Sequence, residues 1–186
     1  FTNRFQKHCT KVTLYAIWKD TTPPVIGTLI FSPTTSTQGD VTLTGKATDL
    51  GSGISYYQFS TNGNLTASSS GWISITNTTA EITRTYSVSA NGTYYFYVKD
   101  AAGNITKKSV VINKIDKNVP TIDSLTATAN SDSTFKLVIN ASDTGGSGLK
   151  TAYVTSSNST KTYSFSGTGT ITITDAKPSS TYSVYV

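Results

Sequence analysis

The sequence predicts an all-β protein made of two consecutive β-sandwich units, and three observations carry that expectation. Composition is the first. Of 186 residues, 36% are hydrophobic, enough for a packed core, yet only 13% are charged, about half the usual share. Thr, Ser, Asn and Gly fill the difference, and β-branched Thr suits an exposed strand face where Lys and Glu would suit a helix. Tyr contributes 11 residues and Met none. The second observation is alternation of apolar and polar residues over short runs bounded by turn residues. The third is self-similarity of the chain at a spacing near 96 residues.

Taken in chain order, the alternating runs predict strands near residues 24–32, 40–48, 55–61, 72–76, 80–89, 92–99 and 105–113. Successive side chains on a strand point to opposite faces. Val41, Leu43 and Ala47 are therefore expected to face inward, and so are Tyr94, Phe96 and Val98. Seven strands fit one sandwich. No segment carries a helical period with capping residues.

The repeat organises the rest of the chain. Asp20, Pro24 and Leu29 return as Asp116, Pro120 and Leu125, 96 residues on. Val41, Leu43, Ala47 and Asp49 return as Phe135, Leu137, Ala141 and Asp143, 94 residues on. Each copy then enters a Gly-Ser-Gly turn closed by an aliphatic residue, Gly51 to Ile54 and Gly146 to Leu149. Thr93 to Val98 returns as Thr181 to Val186, 88 residues on, so Tyr182, Val184 and Val186 keep the inward phase. Loop insertions and deletions account for the drift. A unit of about 100 residues is the size of an immunoglobulin-like or fibronectin III-like sandwich. The expected organisation is residues 1–19 as the C-terminal end of an upstream β-rich repeat module, 20–115 as a first sandwich and 116–186 as a second. The second copy stops at Val186, where the first continues into a turn and a further strand. It is thus expected to lack its last strand, to leave an open edge beside Tyr182–Val186, and to come from a chain that continues.

Three motifs in order resemble a known family: Asp-Thr-Thr-Pro-Pro at 20–24, Asp49 with Gly51-Ser-Gly-Ile54, and the run from Tyr95 through Val98, Lys99 and Asp100 to Asn104. Together they resemble the bacterial Ig-like repeats of secreted and wall-anchored proteins, over residues 20–186. The second copy departs from the pattern by an extra Gly145 and by Val119 in place of the first proline. The stretch Val12 to Lys19, with Tyr15 and Trp18, resembles the closing strand of a Listeria–Bacteroides repeat, the internalin B-type module. These resemblances imply a large modular bacterial protein of the cell surface or Gram-positive wall, whose partners are the neighbouring domains of its own chain. The single Cys9 leans the same way. It excludes an intrachain disulfide, and secreted animal domains of this size usually carry bridges.

Few residues qualify as chemistry. Net charge is +5, but the densest basic groups, Lys107–Lys108 and Arg4 to Lys11, fall short of a stripe that tracks phosphates, so nucleic acid is not an expected partner. No apolar stretch approaches the roughly 20 residues a membrane span needs. His8 and Cys9 are adjacent; on a strand they point to opposite faces and do not meet as nucleophile and base. They also supply too few ligands for a structural zinc. Asp49 and Asp143 precede glycine turns, and Asp20, Asp100 and Asp116 sit at unit ends. Carboxylates with loop carbonyls suit Ca²⁺, yet Asp and Asn are equally the residues that cap their own turns. No catalytic, cofactor-binding or metal-ligating residue is assigned, and no cofactor. Tyr95 and Tyr97 alternate to the outer face, opposite Phe96, with Trp72 near in sequence, and form the candidate sugar platform. Six Asn-x-Ser/Thr sequons occur, at Asn64, Asn77, Asn91, Asn104, Asn140 and Asn158, where a Ser/Thr-rich chain gives about three or four by chance; they mean surface glycans only in a source that glycosylates. Lys46 and Asn113 are conceivable partners for a Lys–Asn isopeptide bond, but Lys46 alternates outward.

The expected function is non-enzymatic: spacer or stalk domains of a large secreted or surface protein. The alternatives are an adhesin or carbohydrate-binding module that touches a host or cell-surface glycan or protein, and accessory domains of a secreted glycosidase.

Overall fold

Alternation of Val, Ile, Tyr and Thr with polar residues produces strands throughout. The computed structural model describes residues 19–131, 134–156, 159–165, 169–177 and 181–186. Residues 1–18, with His8, Cys9 and the internalin-like segment up to Trp18, and the sequon Asn158 lie outside the described residues. The first seven strands are β1 (Val25–Ser32), β2 (Val41–Thr48), β3 (Ile54–Ser60), β4 (Ile73–Thr78), β5 (Ile82–Val88), β6 (Gly92–Asp100) and β7 (Ile105–Ile112). Every boundary falls within two residues of the sequence-based expectation. Six more follow: β8 (Thr121–Ser131), β9 (Thr134–Ser142), β10 (Thr151–Ser156), β11 (Ser159–Ser164), β12 (Thr170–Ala176) and β13 (Tyr182–Tyr185). The described residues contain no helix, and so none long and apolar enough to cross a membrane.

All pairings between strands are antiparallel. The first half forms two sheets, ordered β1-β2-β5 and β4-β3-β6-β7; the second forms β8-β9-β12 and β11-β10-β13. The two halves share one strand order, with β8, β9, β10, β11, β12 and β13 standing where β1, β2, β3, β4, β5 and β6 stand. Even an irregularity repeats, since the ladder slips at Gly27 in β1 and at Asp123 in β8, 96 positions apart.

The two sheets of the first half bury one face against each other. Ala47 and Ile82 of one sheet meet Ile54, Phe96 and Val98 of the other. Val41, Leu43 and Val88 meet Tyr94 and Ile112. Val41, Leu43, Ala47, Tyr94, Phe96 and Val98 are all buried, as their alternation requires. Phe96 lies over Gly45, where an added Cβ would come 2.5 Å from Cδ1 of the ring. The second half has its own cluster of Leu137, Ile139, Ala152, Val154, Ile171, Ile173 and Ala176, with Tyr182, Val184 and Val186 packed against it.

Among the described residues the halves differ at β7, which has no counterpart there. In the first, β7 lies against β1, and Ile26 and Leu29 pack onto the core. In the second, β13 pairs only with β10 among the described residues. The counterparts Ile122 and Leu125 stay 39% and 47% exposed. Among the described residues β8 packs on no strand in the way that β1 packs on β7.

Candidate functional site

Three places in the fold gather polar or aromatic chemistry. The first is the end of the first half where the chain enters β1. Carboxylate oxygens of Asp20, Asp49 and Asp100 lie within 4.8 Å of one another there. Each is supplied with N–H donors from the turns it sits in. Asp20 accepts from Thr22 N at 2.9 Å and Ser52 N at 2.7 Å. Asp49 accepts from Gly51 N and Gly53 N at 3.2 and 2.8 Å. Asp100 accepts from the backbone N and the Nδ2 of Asn104, both at 2.7 Å. Asn104 Nδ2 also reaches the Asp20 carbonyl at 3.1 Å. The backbone N–H of Thr22, then that of Ser52, holds the Asp20 carboxyl below its ordinary 3.8. Chemically this is a lock that ties the segment leading into β1 to the β2–β3 and β6–β7 turns. The sequence put Asp49 before a turn and Asp20 and Asp100 at unit ends, as carboxylates suited to Ca²⁺ or to capping their own turns; which three converge comes from the structure.

The lock recurs at the joint between the halves. Asp116 accepts from Ser147 N at 2.7 Å and Asn118 N at 3.1 Å, and Asp143 from Gly145 N and the Ser147 hydroxyl. Hydrogen bonding from Ser147, ahead of that from the Asn118 N–H, pulls the Asp116 carboxyl below the usual value. The backbone of the same segment belongs to the first half. Thr37 N donates to Lys114 O and Asp116 N to Thr37 O, each at 2.8 Å. Asn91 clasps Ile115 from both sides, donating to its O at 2.7 Å and accepting from its N at 2.9 Å. Ile115 is buried with Val41 and Ile112. Asp116 therefore has its N–H on one half and its carboxylate on the other.

The second place is the outer face of the β4-β3-β6-β7 sheet. Tyr95 and Tyr97 do lie there, but Tyr97 is only 1% exposed, which removes it from any open sugar platform. The polar loop of residues 61–71 folds back over it. Tyr97 OH donates to Asn62 O at 3.0 Å and accepts from Leu65 N at 3.4 Å. Trp72 sits edge-on to Tyr97 and its Nε1 donates to Thr66 O at 3.1 Å. Lys99 lies over the rings of Tyr56 (4.2 Å) and Trp72 (4.5 Å) while donating to Ala67 O. Burial lowers the Lys99 ammonium from its ordinary 10.5. Lys107 bonds Gly63 O. Lys46, by contrast, points outward as expected and pairs with Glu81 at 2.9 Å on the surface. It is not the buried lysine an isopeptide bond needs.

The third place was not singled out from the sequence. On one side of the first half the two sheets end in β4 and β5. Ile82, Arg84, Tyr86 and Val88 share one face of β5 by alternation; Ile82 and Val88 are buried, and the two between them border the gap between the sheets. Tyr86 lies flat on Phe59, at 5.3 Å and 8° between planes, and Phe59 stacks on the buried Phe96 at 4.7 Å. The Arg84 guanidinium lies over Tyr57 at 5.2 Å. An Arg and a Tyr in phase with core residues on a strand were the signal available in the sequence.

Neither a protein-family model nor a curated protein sequence matches the chain.

Proposed function

We propose that residues 20–115 and 116–186 are two immunoglobulin-like sandwich domains acting as non-enzymatic spacers in a large bacterial surface or secreted protein. The observation that carries this is Asp116, bonded through its N–H to Thr37 O and through its carboxylate to Ser147 N. A connection of this kind fixes one domain on the next instead of letting it swing. The shared strand order, the repeated bulge at Gly27 and Asp123, and the motifs that resemble bacterial Ig-like repeats support the same reading. The outer-face aromatics are committed to holding residues 61–71, which accounts for them without a ligand.

Small-angle scattering of the chain should give an elongated particle with the domains end to end. Asn91→Ala, which removes both bonds to Ile115, should let the two domains tumble more independently in ¹⁵N relaxation. Scattering that fits two domains collapsed side by side would overturn the spacer reading.

A further inference from the structure

The gap between β4 and β5 combines features that edge protection alone does not require. Three rings, Phe96, Phe59 and Tyr86, run from the core to the surface. Tyr86 ends the stack 45% exposed, with one face laid on Phe59, so much of the residue meets solvent. A flat ring held rigid from below is what stacking on the C–H face of a sugar demands. Ile73, 49% exposed on β4, and the half-buried Tyr57 with which it pairs add apolar surface on the other sheet.

Arg84 supplies the second element. It stands two residues from Tyr86 on the same strand face, roughly 7 Å away. Its guanidinium packs on Tyr57 and donates to Thr83 O. Arg84 forms no ion pair with a carboxylate among the described residues. A half-buried, oriented guanidinium keeps its remaining fork of donors for a planar anion. We propose that this edge of the first domain binds a carboxylated sugar, its pyranose ring on Tyr86 and its carboxylate on Arg84. This binding does not rest on the spacer reading, and a spacer can carry such a site on its flank.

The competing role for Arg84 is that of an inward-pointing charge which keeps an edge strand from pairing with another chain. Either sign of charge serves that purpose, but only a cation serves the sugar. The test is titration of the full chain with a galacturonate hexasaccharide, followed by ¹⁵N–¹H shifts, beside its methyl-esterified form. Shifts should centre on Arg84, Tyr86 and Ile73 for the acidic sugar and be absent for the neutral one. Arg84→Glu should abolish binding and Arg84→Lys weaken it about tenfold. Tyr86→Phe should stay within about twofold of the parent because the ring remains. Equal binding of the esterified sugar, unchanged binding by Arg84→Glu, or no shifts at these residues up to the solubility limit would overturn the proposal. The dispersion of each variant's ¹⁵N–¹H spectrum separates loss of binding from loss of fold, and Arg84→Lys keeps the positive charge that binding needs.

Discussion

Gly45 on β2 faces the Phe96 ring across the sandwich, and replacing it with Ala tests that packing directly. An added Cβ would lie 2.5, 2.7 and 2.8 Å from Cδ1, Cε1 and Cγ of Phe96. Gly45 is not among the glycines with positive φ, so the backbone itself tolerates Ala and the ring alone forbids it. Phe96 cannot retreat easily, because it is fully buried and stacked on Phe59. Overpacking by one methyl costs about 1–3 kcal/mol, and three contacts inside 3 Å place this case near ~3. Restricting the unfolded chain returns about 0.5–1 kcal/mol, for a net loss of about 2. Phe96→Leu alone should cost about 1.5 kcal/mol by leaving space. In the double variant the new methyl takes up part of that space. The pair should then lose about 1.5–2 kcal/mol, where independent effects would give ~3.5, a coupling of about 1.5–2 kcal/mol. Urea unfolding in a Trp18→Phe background, with Trp72 as the reporter, measures it. Additivity within about 0.5 kcal/mol would refute the facing of Gly45 and Phe96.

Two further outcomes follow from the hydrogen bonds. Asp20 and Asp116 both sit below 3.8 when folded; such groups contribute stability above their unfolded value and lose it as pH falls through the folded one. The melting temperature should therefore hold on acidification until pH nears 3.8 and then drop, more gently in Asp20→Asn; an NMR titration midpoint at or above 3.8 for either carboxyl would contradict this. Tyr97→Phe removes the hydroxyl that meets Asn62 O and Leu65 N. It should cost about 1 kcal/mol and speed amide exchange at Leu65, whereas unchanged exchange there would mean the loop is held by other contacts.

The strands were legible because period-two alternation is a local signal. Val41, Leu43 and Ala47, or Tyr94, Phe96 and Val98, announce their face without any knowledge of partners. The repeat extended that reading to the second half, since matched residues fold alike. Coverage is not local. Nothing in the alternation of Tyr95 and Tyr97 tells that the polar residues 61–71 lie on top of them. The convergence of Asp20, Asp49 and Asp100 is likewise a product of antiparallel return, which brings turns distant in sequence to one end of the sandwich. Arg84 and Tyr86 lay between the extremes. Their phase with Ile82 and Val88 marked them as inward-facing, and an arginine facing inward on a strand is an anomaly the sequence already displayed.

The bridge between Thr37 and Ile115 has a mechanical consequence. It is a parallel pairing, and its bonds from Thr37 N to Lys114 O and from Asp116 N to Thr37 O flank a single buried side chain. A pull transmitted along the chain from residue 118 meets both bonds together, with Asn91 gripping Ile115 between them. Four hydrogen bonds in all hold this point of the chain. Tension is borne first by the clasp at Ile115, before any strand of the sheets behind it is asked to slide.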